Sequence, residues 1–226
     1  MSPDAIGRKA LTLALATLFS VAAHAAPDWR APRVVTWECA GCHGIDGNSQ
    51  WPVMPRLAAQ NATYLAQQLD AFRAAPKVAS IEIPEWIAPA GKPAATARTG
   101  TDARVFMIGP AHRLPPEDAQ AAAAWYAKQA PLPGAPGDPA LVARGRDVFT
   151  KGDPKAGVIA CQDCHGPDGK GLATFPRLAG QHAGYLVRQL QAFVSGARPL
   201  GSPMHNIAKD LPAEDATAVA AYLQGL

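Results

Sequence analysis

The chain has 226 residues, room for one or two domains. Aromatic residues are only 7% of it and Phe numbers six, so alanine carries much of the apolar fraction and bulky core formers are few. Its 21 basic and 18 acidic side chains are interspersed with no basic stripe, which leaves nucleic-acid binding without support and fits a surface for weak, transient protein contacts.

Residues 1–25 read as an export signal. Arg8 and Lys9 open it, an apolar run over 10–23 follows, and Ala23, His24 and Ala25 form a small-x-small cleavage site. The run is too short to span a bilayer and no stop-transfer stretch follows it, so a soluble periplasmic protein beginning at Ala26 is expected, an uncleaved anchor being the alternative. Loss of Arg8, Lys9 and Asp4 lowers the net charge from +3 to +2.

A first domain is expected over 26–130. Residues 28–38 leave room for only a short helix before Cys39, Cys42 and His43, a C-x-x-C-H run of the kind that attaches c-type haem. On one helical turn, two thiols three apart can each add to a vinyl group of one porphyrin, and the next histidine then lies under the iron as proximal ligand. A zinc site would need four ligands closing on one metal, where this motif offers three. A thioredoxin-type thiol pair would need strand–helix alternation, and no stretch alternates like a strand. Tyr64, Leu65, Leu69 and Phe72 fall at helical spacing. An insertion over 74–99 follows, with prolines at 76, 84, 89 and 93 and an isolated Trp86. Its prolines exclude a long helix, and its expected role is to anchor a partner or shield the first haem edge. Met107 precedes a terminal helix opened by Pro115, Glu117 and Asp118, acids suited to a helix N-terminus.

Four prolines and two glycines over 131–139 make a semi-extended linker. Asp138 and Pro139 then form an N-cap and first-turn pair opening a helix through Phe149, within a second domain expected over 140–226. The motif recurs as Cys161, Cys164 and His165, at an offset of 122. The block Pro55-Arg56-Leu57-Ala58 recurs from Pro176 and Arg177, and the helical Tyr64 to Phe72 pattern recurs over 185–193, both at an offset of 121. Met107 recurs as Met204, each seven residues before a Leu-Pro pair, at an offset of 97, so the first half carries 24 extra residues. Repetition in one order with one insertion means two copies of one domain, each gaining from a porphyrin the bulk its core lacks.

The matched Met107 and Met204 are the expected sixth ligands, since methionine opposite histidine favours ferrous iron and leaves no vacancy for oxygen or peroxide. Met54 is the rival in the first half but abuts Pro55 on the proximal side. His112 and His205 have no counterparts in the other repeat and read as surface residues, while His182 reads as a polar residue at a helix start. Ligating histidines usually donate their second ring nitrogen to a carbonyl or carboxylate. In c-type cytochromes generally a proline carbonyl at about the spacing of Pro55 and Pro176 takes that part. Arg56 and Arg177 are candidates to pair with haem propionates.

The whole mature chain resembles the cytochrome c4 family of dihaem cytochromes. The resemblance is carried by the two haem motifs with Gly44-Ile45-Asp46-Gly47-Asn48 and Gly166-Pro167-Asp168-Gly169, by the Pro-Arg-Leu-Ala blocks, and by Met204 through Leu223 at the end. It implies an all-α fold of two tandem class I cytochrome c domains about a pseudo-twofold axis, two covalent haem c groups with His/Met iron ligands, and contact of Gly145 and Phe149 with Tyr222. The insertion and the short first helix depart from the family pattern. The function implied is electron carriage, not enzymatic turnover, between redox protein partners in the respiratory chain: from a quinol-oxidising complex or dehydrogenase to a terminal oxidase or reductase. Peripheral association with a membrane complex is compatible with it. The alternatives are a dihaem enzyme of the peroxidase or thiosulfate-oxidising type, and a dedicated cytochrome subunit of a dehydrogenase complex.

Overall fold

The computed structural model describes residues 30–74, 104–198 and 203–226. The expected export signal over 1–25, and all but the first residue of the expected insertion over 74–99, lie outside them. Among the described residues the fold is helical, with one isolated antiparallel bridge between Asp153 and Val158.

In the first half a π-turn over Val35–Cys39 runs directly into α1 (Ala40–His43), followed by α2 (Ala62–Ala74), α3 (Arg104–Arg113) and α4 (Pro116–Ala127). The wide π-turn is a feature the helical spacing did not signal. It leaves both Val34 and Val35 buried, in one core cluster with Leu65, Ala119, Ala122, Ala123 and Tyr126. Pro115 is the N-cap of α4, Pro116 sits in its first turn, and Glu117 and Asp118 face its positive end.

The second half repeats the order with a longer opening helix: α5 (Pro139–Lys151), α6 (Gln162–His165), α7 (Ala183–Val194), α8 (Pro203–Asp210) and α9 (Ala213–Gln224). Asp138 caps α5 by accepting from the amides of Ala140 and Leu141. Gly145 lets α5 approach α9 closely, since a Cβ there would overlap the Ala218 carbonyl and press on Tyr222. Alanine dominates α9 for the same reason, Ala218 and Ala220 being fully buried. Phe149 meets Tyr222 with ring centroids 5.6 Å apart, and Arg144 bridges Glu214 at 2.7 Å and the buried Asp215 at 2.5 Å.

The loops between the elements are duplicated as closely as the helices. The amides of Leu57 and Ala58 donate to the Gly47 carbonyl, and those of Leu178 and Ala179 to the Gly169 carbonyl. The following turn donates to the end of the last helix, from Ala59 to Tyr126 and from Gly180 to Leu223. The segment between the halves has no regular structure over 131–138, but it is not a free tether. The Leu132 amide donates to Asn48 Oδ1 at 2.8 Å, and Gln224 Nε2 donates to the Ala135 carbonyl at 3.2 Å, which lays the linker along both halves.

Candidate haem-binding sites

Each motif is built the same way. Cys42 and His43 lie on α1 with Cys39 as its N-cap, and Cys164 and His165 lie on α6 with Cys161 as its N-cap. The glycine after each histidine ends the helix at φ 78°, in the left-handed region, with ψ 153° at Gly44 and 156° at Gly166. A side chain would be strained there.

Both histidines are buried, and the Nδ1–H of each donates at 2.9 Å to a proline carbonyl, His43 to Pro55 and His165 to Pro176. A carbonyl only accepts, so Nδ1 carries the proton and Nε2 keeps its lone pair, the tautomer a metal ligand needs. Burial pushes both imidazoles below the ordinary 6.5, against the opposing pull of the proline hydrogen bonds. They are therefore neutral at neutral pH. The thiols of Cys39 and Cys161 are pushed up to about 11, chiefly by burial. Activated redox thiols are shifted the other way. Among the described residues no group of three or more His, Cys, Asp and Glu side chains is placed to hold a bare metal ion.

The edge of the Phe175 ring faces the His165 ring, with centroids 6.0 Å apart. Met54 takes the corresponding place in the first half. Its amide donates to the Trp51 carbonyl as that of Phe175 donates to Leu172, each at 2.9 Å, so the two turns are copies. Met107 and Met204 are half-buried in the first turns of α3 and α8, which pack on α2 and α7 respectively.

Two histidines depart from expectation, and a third stands where expected with a further contact. His205 is not a surface residue: its Nδ1–H donates to the Phe193 carbonyl at 2.7 Å and ties α8 to the end of α7. His112 is half-buried in α3. His182 does precede α7, but its side chain makes no cap. It is buried, and its Nε2–H crosses to the Ser49 carbonyl of the first half at 2.9 Å.

The arginines after the prolines lie at the seam between the halves. Arg56 Nη1 donates to the carbonyls of Gly180 at 3.0 Å and of Leu132 and Pro133 at 3.3 Å, while its Nε is buried without a partner. Burial lowers the pKa of Arg56 and Arg177 alike. A carboxylate at the Arg56 Nε would satisfy the orphaned donor, and a porphyrin brings two. With two thiols and a ligand-ready imidazole in each motif, the residues present fit haem c.

Two buried residues in this seam had no part in the motif reading, Gln60 and Gln181. Gln60 Oε1 accepts from the Arg177 amide at 2.8 Å and its Nε2 donates to the Arg177 carbonyl at 2.9 Å. Gln181 makes the same pair of contacts to Arg56, each at 2.9 Å. The two glutamines share the offset of 121 with the Pro-Arg-Leu-Ala blocks, and that match was the available signal. The middle of α7 and the residue before α2 add further ties across the seam: Asn61 Nδ2 donates to the Ala173 carbonyl, and Arg188 Nη2 to the Pro52 carbonyl at 3.1 Å.

Comparison with known proteins points the same way as the geometry. A family model for cytochrome c matches residues 30–129 and 142–226. Cytochrome c4 of Azotobacter vinelandii is 36% identical over 225 residues, covering 96% of this chain and 99% of its own. A thiosulfate dehydrogenase electron acceptor of Thiomonas intermedia is 31% identical over 222 residues, covering 93% and 88%. The crystal structure of reduced recombinant cytochrome c4 from Pseudomonas stutzeri superposes with a TM-score of 0.67 at 35% identity, covering 83% of this chain and 93% of that one.

Proposed function

This chain belongs to the cytochrome c4 family, and from that premise we propose that it carries single electrons in the periplasm from a quinol-oxidising complex or dehydrogenase to a terminal oxidase or reductase. It is an electron carrier rather than an enzyme and binds two haem c groups covalently. Each haem supplies a one-electron ferric–ferrous couple when bound. The chain's own residues set the conditions for that couple. Cys39 with Cys42, and Cys161 with Cys164, hold the porphyrins. His43 and His165 would ligate the irons through Nε2, oriented by the carbonyls of Pro55 and Pro176. Met107 and Met204 would supply the second protein ligand to each iron, a thioether that favours the ferrous state. Arg56 and Arg177 would pair with propionate charge at the seam.

The observation that carries the reading is the duplicated, buried Nδ1–H donation to a proline carbonyl at 2.9 Å, which leaves two ligand-ready imidazoles in one chain. The periplasmic assignment rests on the export signal over 1–25. No helix among the described residues is long and apolar enough to cross a membrane. A second reading, a dedicated cytochrome partner of a dehydrogenase, is favoured by the relative named as a thiosulfate dehydrogenase electron acceptor.

One experiment separates the two. Oxidised holoprotein is mixed with solubilised membranes of its source organism and supplied with quinol. Reduction of both haems while the cytochrome still elutes alone supports the shuttle. Elution in fixed ratio with a dehydrogenase, with reduction by that enzyme's substrate only, supports the dedicated subunit. Absence of reduction by either route contradicts both.

A further inference from the structure

The proline carbonyl that accepts from each histidine and the arginine amide held by each glutamine belong to the same peptide group. Pro55 C=O accepts from His43 Nδ1–H, and the N–H on the other side of that peptide bond, that of Arg56, donates to Gln181 Oε1 at 2.9 Å. Pro176 C=O accepts from His165, and the Arg177 N–H donates to Gln60 Oε1 at 2.8 Å. Each histidine is thus joined through one peptide unit to a side chain of the opposite half. The glutamines are fixed for the task. Both are 6% exposed, and each Oε1 also accepts from the amide of the next residue, Asn61 at 2.9 Å or His182 at 3.1 Å. Each Nε2 donates to the same arginine's carbonyl, so the partners leave no ambiguity between amide oxygen and nitrogen.

A peptide group is a conjugated unit, and hydrogen bonds at its two ends strengthen each other. An acceptor on the Arg56 N–H moves electron density onto the Pro55 oxygen, which then accepts more strongly from His43 Nδ1–H. A more strongly hydrogen-bonded imidazole is a more basic ligand at Nε2, and a more basic ligand favours ferric iron. We propose that Gln181 and Gln60 are crossed positioning residues: each half lowers the reduction potential of the haem in the other half through a Gln–peptide–His relay. The inference rests on the proximal assignment of His43 and His165. One consequence is that the potential of each haem reports whether the seam is closed.

The test uses the holoprotein, with the potential of each haem assigned by nuclear magnetic resonance of its haem methyl groups. Gln181→Leu should raise the potential of the first haem alone, by about a threefold shift in the ferric–ferrous equilibrium, which at 59 mV per tenfold is about 28 mV. Gln60→Leu should raise that of the second haem alone. Gln181→Glu keeps an acceptor on the Arg56 amide and should leave the first potential at or below its native value. If the glutamines only hold the halves together, Gln181→Leu and Gln181→Glu will act alike, or shift both haems together, and the relay is wrong. Should the variants not mature, the ferrous native protein decides the matter. A scalar coupling across the hydrogen bond between the Arg56 amide nitrogen and Gln181 Cδ is expected, and its absence overturns the proposal. Failure of the underlying assignment looks different: the native protein would then lack low-spin, histidine-ligated haem signals.

Discussion

Met204 and Met107 carry the assignment of the sixth ligand, and each can be tested singly. Replacing Met204 with Ala should remove roughly half of the weak sulfur-to-iron band in the near-infrared and lower one of the two potentials, because the thioether favours ferrous iron. An unchanged band after Met204→Ala assigns the ligand elsewhere, and the same substitution at Met107 separates it from Met54 and His112. His182 makes a pH prediction. Burial holds its imidazole below the ordinary 6.5 against the pull of its bond to Ser49, and the positive Arg56 and Arg188 lower it further. The unfolded chain therefore binds the extra proton first. The stability His182 contributes is complete above about pH 6.5 and is lost as the pH falls through the window between 6.5 and its folded value. Denaturant midpoints of the holoprotein should drop on acidification through that window, and His182→Gln should flatten the drop. Little of this seam was legible in the sequence. His182 and Asn61 face each other in the repeat as unlike residues, and that each reaches the other half depends on how the halves pack, which no spacing encodes.

At the scale of elements, helical periodicity located α2 and α7, and the proline and early acids located α4 and α9, because those signals are local. The π-turn over Val35–Cys39 was not legible, since what defines it is the hydrogen-bond register of the backbone, which no residue pattern encodes. The contact of α5 with α9 depends on one position. Gly145→Ala would drive a methyl group into the Ala218 carbonyl and should destabilise the second half by about 3 kcal/mol, read as a lowered Tm for the holoprotein. An unchanged Tm would mean that the two helices do not approach this closely. The duplicated turn supplies the opposite case. Gly180 has φ 72°, and its counterpart Ala59 adopts φ 54° with a Cβ to accommodate. Ala59→Gly should relieve that strain and stabilise the first half by about 1 kcal/mol, measurable by the same melting experiment.

In the whole molecule, two copies of one design face each other across a seam of paired glutamine clasps, with the linker laid along both. The duplication, the helical fold and the two haem motifs were legible because they rest on residue identity at fixed offsets. The reciprocity of Gln60 and Gln181 was half legible: the match was in the repeat, but its meaning came only when the seam placed each amide against the other half's arginine. Near-neutral charge with both signs mixed suits a carrier that must leave its partners as readily as it meets them. Two six-coordinate haems passing one electron each are checked by titrating the visible and near-infrared spectrum of the holoprotein against applied potential. Two one-electron steps per chain are expected, with low-spin spectra throughout, a sulfur-to-iron band that bleaches across both steps, and no response to added cyanide or carbon monoxide. A single step per chain, or a high-spin ferric component that binds cyanide at once, would mean that the chain does not carry two six-coordinate haems.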